Sequence, residues 1–86
     1  MGIQIYWFTQ EGCSGCEEQK TIIEEVAGHF GLPIREIDIS YKPEYVRKYQ
    51  LTMTPTILIV VHGQEKIRFE KIISSRDLED AIWPYL

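Results

Sequence analysis

The stretch Ile3-Gln4-Ile5-Tyr6-Trp7-Phe8-Thr9-Gln10-Glu11-Gly12-Cys13-Ser14-Gly15-Cys16 decides how this chain is read. Its first half is a β-rich apolar run, which predicts a strand buried on both faces. The loop Thr9-Gln10-Glu11-Gly12 follows, and a helical pattern begins near Cys13 or Ser14. Ile23, Val26, Ala27 and Phe30 then fall at i, i+3, i+4 and i+7 and give that helix an apolar stripe. Glu17, Glu18, Gln19, Lys20, Glu24 and Glu25 are good helix formers and are expected mostly on the outer face. Gly28, Gly31 and Pro33 end the helix near Phe30. Both cysteines therefore stand where a strand hands over to a helix, and the chain has no others.

Outward from this unit, Ile34, Ile37 and Ile39 mark a second strand. Asp38 to Pro43 reads as a turn into a short helix, with Pro43 near its first position. Tyr45, Val46 and Tyr49 give that helix its apolar face, and Leu51-Thr52-Met53-Thr54 connects it to Pro55. Thr56 to Val61 is a β-branched third strand, His62-Gly63-Gln64 a hairpin turn, and Lys66 to Ile72 a fourth strand. The last helix starts near Ser75, with Ser74 as N-cap and Asp77 at the capping-box position. Leu78, Ala81, Ile82 and Tyr85 form its buried side, and Trp83 and Tyr85 are expected to pack it onto the sheet. The order β-α-β-α-β-β-α makes the first two strands parallel and the last two an antiparallel hairpin. The predicted class is α/β, a four-stranded mixed sheet with helices on both faces.

Composition narrows the function. Eighty-six residues fit one domain, 1–86. A hydrophobic share of 44% with 26% charged residues fits a globular chain rather than a disordered one. The net charge of −4 argues against nucleic-acid binding, which needs a basic face. The longest apolar run, Ile57 to Val61, is far below the ~20 residues of a membrane helix. Met1 to Phe8 lacks the features of a signal peptide. A cytoplasmic monomer without nucleic-acid or membrane partners is expected.

The spacing of the cysteines points to chemistry. A bridge across two residues removes little loop entropy, so Cys13–Cys16 would be a poor staple. At a helix start, Cys13 faces free backbone N–H groups and the positive end of the helix dipole, which favour thiolate. Cys16 lies one turn on and can attack a mixed disulfide formed at Cys13. Glu11, Glu17 and Glu18 beside the motif are expected to be a solvated first turn. His29 and His62 are expected at the surface. No metal or organic cofactor is expected, only the redox-active cysteine pair.

Taken together, Cys13-Ser14-Gly15-Cys16 after an apolar strand, then Asp38, Pro43-Glu44, Tyr49-Gln50-Leu51 and Thr54-Pro55-Thr56-Ile57-Leu58-Ile59, is similar to the thioredoxin and glutaredoxin families. The likeness spans about residues 3 to 85. It implies a thioredoxin-like fold, a cis peptide at Pro55, and thiol–disulfide oxidoreductase activity. By the same resemblance, Cys13 is the nucleophile, Cys16 the resolving thiol, and Thr54 and Pro55 a substrate platform. Gly12, Ser14, Gly15 and Lys71 are possible modulators. Lys71 stands roughly where thioredoxins have glycine; it is expected to lower the Cys13 pKa and to favour acidic partners. The implied partners are disulfide-containing proteins and an upstream reductase.

Three positions depart from the families. Trp7 replaces the aspartate that thioredoxins bury near the resolving thiol, so that step must use solvent or another group. Ile72-Ile73-Ser74-Ser75 replaces the Gly-Gly turn with which glutaredoxins help hold glutathione. Ser14 and Gly15 match neither Gly-Pro nor Pro-Tyr. Alternative readings are a glutathione-dependent redoxin, and a non-catalytic metal-binding or adaptor module using the cysteine pair.

Overall fold

A computed structural model describes residues 2–86. Its strands are β1 (Ile3–Thr9), β2 (Ile34–Asp38), β3 (Thr56–Val61) and β4 (Gln64–Phe69). Its helices are α1 (Cys16–Phe30), α2 (Glu44–Lys48) and α3 (Ser75–Ile82), the last running into a 3₁₀ turn over Trp83–Tyr85. The sheet order is β2-β1-β3-β4, parallel between β1 and β2 and antiparallel elsewhere. This is the predicted order of elements, with the most apolar strands, β1 and β3, at the centre.

Alternation along β1 divides the core. Ile3, Ile5 and Trp7 join Ile23, Val26 and Ala27 of α1 and Leu78 and Ile82 of α3 in one buried cluster. Phe8 faces the other way, with Ile37, Leu51, Leu58 and Val60, under Tyr45 and Tyr49. Helices thus cover both faces, but unequally, because no residue of α2 is fully buried. Val46, expected on its apolar face, is exposed, and so is Ile34 on the edge strand β2.

Several boundaries and placements differ from expectation. Helix α1 begins at Cys16 rather than Cys13 or Ser14, with Gly15 as an N-cap that offers no side chain. It ends at Gly31, whose φ of 67° lets its N–H and that of Leu32 bond back to the Ala27 carbonyl. Strand β4 starts at Gln64 and stops at Phe69, not at Lys66 and Ile72. His62 and Gly63, both at positive φ, close the hairpin in two residues, so pairing resumes at Val61–Gln64. Ile72 is left outside the sheet. Gln19 is fully buried rather than outward-facing, and Trp83 is 68% exposed rather than packed on the sheet. Trp83 instead rests near Phe30, with ring centroids 6.2 Å apart, beside a hollow that includes His29, Glu79 and Asp80. Ser74 caps α3 as read from the sequence, accepting from the Asp77 N–H at 3.1 Å.

Candidate active site

The loop between β1 and α1 holds the cysteines at the end of the sheet. Its turns are closed by backbone bonds from Cys13 N–H to the Gln10 carbonyl and from Cys16 N–H to the Cys13 carbonyl. Cys13 and Cys16 are joined in a disulfide, with Cα atoms 5.5 Å apart. The two sulfurs are unequally placed. Cys16 is 5% exposed and belongs to the α1–sheet core, whereas Cys13 is only half-buried and opens onto a groove.

That groove, about 490 Å³, gathers the residues singled out in the sequence. Gly12, Cys13, Ser14 and Gly15 form one wall; Thr54 and Pro55 with Met53, and Lys71 with Ile72, form the others. The Thr54–Pro55 peptide bond is cis. Thr54 Oγ1 accepts a hydrogen bond from the Gln10 amide at 2.8 Å, tying the connector before β3 to the loop before Cys13. Gly15 has a steric role: a Cβ there would run into the Ile72 side chain. Lys71 is exposed and makes no ion pair among the described residues.

The neighbouring glutamates separate in role. Glu17 and Glu18 are exposed in the first turn of α1. Glu11 is held by its surroundings, its N–H donating to Ser40 Oγ and its carboxylate accepting from the Tyr41 hydroxyl. That hydrogen bond, reinforced by the carboxylate's charge, holds the Tyr41 phenol above its ordinary pKa. His29 and His62 lie at the surface, as read from the sequence.

Two features escaped the sequence reading. Gln19 accepts from the Ile73 N–H at 2.8 Å and donates to the Ile73 carbonyl at 3.2 Å. It thereby fixes the segment after β4, and with it Ile72 and Lys71, against α1. The signal was present, since Cys16, Gln19, Ile23, Val26 and Phe30 fall on one helical stripe. The second is a cleft of about 200 Å³ on the far side of Cys16, lined by Trp7, Thr9, Glu17, Lys20, Glu36 and Asp38. It depends on pairing β1 with β2, which spacing along the chain does not supply.

The mixed sheet and the Cys-x-x-Cys disulfide between β1 and α1 define a member of the thioredoxin/glutaredoxin superfamily. Solved thioredoxins share this architecture. Thioredoxin 1 from the thermophilic eubacterium Thermosipho africanus TCF52B superposes with a TM-score of 0.86 at 27% identity, over 95% of this chain and 92% of that one. Thioredoxin-2 of a malaria parasite, described as a component of its protein secretion machinery, gives a TM-score of 0.91 at 21% identity, covering 96% and 82%. Fasciola hepatica thioredoxin gives 0.87 at 21% identity, covering 99% and 82%. Within the superfamily, residues 4–82 match the glutaredoxin-like domain (DUF836), and the chain belongs to that family.

Proposed function

We propose that this protein is a thiol–disulfide oxidoreductase acting on protein disulfides, with Cys13 as the attacking thiol and Cys16 as the resolving one. The observation that carries the assignment is the asymmetry of the pair: Cys13 faces an open groove, while Cys16 is buried behind it. An incoming disulfide reaches the first sulfur and not the second.

In the reduced protein, the Cys13 thiolate attacks one sulfur of a substrate disulfide, forming a mixed disulfide and releasing the other sulfur as thiolate. The Cys16 sulfur then attacks Cys13. The intramolecular bond re-forms, the second substrate sulfur leaves with its electron pair, and substrate has gained two electrons. An upstream reductase returns them to the protein; no metal or organic cofactor enters. Thr54 presents backbone beside Cys13 to an extended substrate segment, and Lys71 adds a positive charge at the groove. The protein works as a cytoplasmic monomer. No helix among the described residues is long and apolar enough to cross a membrane.

The test is trapping. Reduced Cys16→Ser is expected to accumulate a mixed disulfide with a disulfide-bonded protein substrate, seen by intact mass, whereas Cys13→Ser forms none. Trapping by Cys13→Ser instead would reverse the roles.

A further inference from the structure

Cys16 must lose a proton to resolve a mixed disulfide, yet it is 5% exposed and Trp7, its neighbour in the core cluster, cannot accept one. Cys16 lines the cleft between α1 and β2, apart from the substrate groove that Cys13 faces. The charged groups there are Glu17 and Lys20 from α1 and Glu36 and Asp38 from β2; β1 contributes the uncharged Trp7 and Thr9.

The register selects one of them. Helix α1 runs antiparallel to β2, and the pair Lys20–Glu36, 3.7 Å apart, marks where the two elements stand opposite each other. From Lys20 back to Cys16 is about 6 Å of helix. From Glu36 forward to Asp38 is about 7 Å of strand in the same direction. Cys16, one helical turn before Lys20, and Asp38, two residues beyond Glu36 on the same face of β2, line the same cleft. Lys20 engages Glu36, and Glu17 is exposed on the rim. Asp38 is half-buried and oriented by the Ser40 N–H, which donates to its Oδ1 at 2.9 Å. Its other oxygen has no hydrogen-bond partner among the described residues.

We infer that Asp38 is the proton acceptor for Cys16. The inference rests on the proposed exchange reaction and adds a group to its second half. As the Cys16 sulfur attacks Cys13, its proton passes to the Asp38 carboxylate, directly or through one water in the cleft. The Cys13–substrate bond breaks and the substrate sulfur departs as thiolate. Asp38 then returns the proton to solvent through the open side of the cleft. A carboxylate supplied by β2 thus serves where the β1 position is occupied by tryptophan.

The test separates the two half-reactions. Fully reduced protein is mixed with a symmetrical aromatic disulfide. Attack by Cys13 releases a first equivalent of coloured aryl thiolate, and resolution by Cys16 releases a second. Asp38→Asn keeps the acceptor for the Ser40 N–H. At pH 6.5 it should leave the first phase unchanged and slow the second by about 100-fold, the lower end of what a positioned base contributes. The deficit should narrow as pH rises, because hydroxide then takes the Cys16 proton without help from Asp38. Glu36→Gln should stay within about threefold of wild type in both phases; an equal loss in that variant would overturn the choice of Asp38. A second phase in Asp38→Asn within threefold of wild type, or a deficit constant across pH, would also overturn the inference. Failure of the underlying reading looks different: Cys16→Ser would still release the second equivalent, or Cys13→Ser would give the first phase unchanged.

Discussion

Gln19 is one side chain that joins two parts of the site. Its amide satisfies both the N–H and the carbonyl of Ile73 at full burial, so its loss leaves two polar groups unpaired as well as a void. Gln19→Ala should cost about 3 kcal/mol, measured by denaturant unfolding; a cost below 1 kcal/mol would mean that water replaces the amide. Lys71, held in place by the same segment, is a separate matter of charge. Lys71→Ala should slow reduction of a disulfide peptide flanked by acidic residues and flatten its salt dependence. An unchanged salt dependence would make it ordinary surface. The two cysteines stand out by residue type and spacing alone, whereas Gly15, Thr54, Pro55 and Lys71 come from the resemblance to thioredoxins and glutaredoxins. The role of Gln19 arises from bonds to Ile73, 54 positions away, and the role proposed for Asp38 from a cleft that exists only once β1 and β2 pair.

The elements were readable to differing degrees, for identifiable reasons. Helix α3 carries its own start signal in Ser74 and Asp77, and Ser74→Ala should cost about 1 kcal/mol by thermal unfolding. Helix α1 lacks such a signal, because Gly15 caps it with no side chain, and the sequence pattern places its start up to three residues early. The β3–β4 hairpin was evident from the β-branched run, but its turn length was not. His62 has a φ of 52°, a conformation that Asn and Gly adopt more readily, so a longer turn was the natural reading. Gly63 sits at a φ of 81°, and Gly63→Ala should lose about 1–2 kcal/mol while His62→Asn is neutral or stabilising. Equal effects of the two would contradict a two-residue turn with both residues at positive φ. A large aromatic near a helix end is expected to be covered, but Trp83 is 68% exposed and shares an open hollow with Phe30, His29, Glu79 and Asp80.

Across the whole molecule, the two faces of the sheet are secured differently. The α1–α3 side is closed by apolar packing, whereas the short α2 depends more on polar ties. Arg68 on β4 donates to the carbonyl oxygens of Tyr49 and Gln50 just past α2, and at 2.8 and 2.9 Å to the carboxylate of Glu65. Hydrogen bonds from Arg68, ahead of an opposing desolvation effect, hold the Glu65 carboxyl below its ordinary pKa. A carboxylate with a depressed folded pKa contributes stability above its unfolded pKa and loses it as pH falls through the folded value. Wild type should therefore be more stable than Glu65→Gln above about pH 5, with the two curves converging as pH falls through the lowered folded-state value. Parallel curves would mean that the pair contributes nothing specific, as many exposed ion pairs do.

The central claim is that the Cys13–Cys16 bond cycles rather than staples. Its most direct test is to equilibrate the protein in graded thiol–disulfide buffers and count free thiols at each potential. The account predicts a reversible two-electron transition with a midpoint between about −270 and −120 mV, the range of thiol–disulfide exchange proteins. A bond that stays oxidised to below about −300 mV, or a fold that collapses when it is reduced, would contradict it.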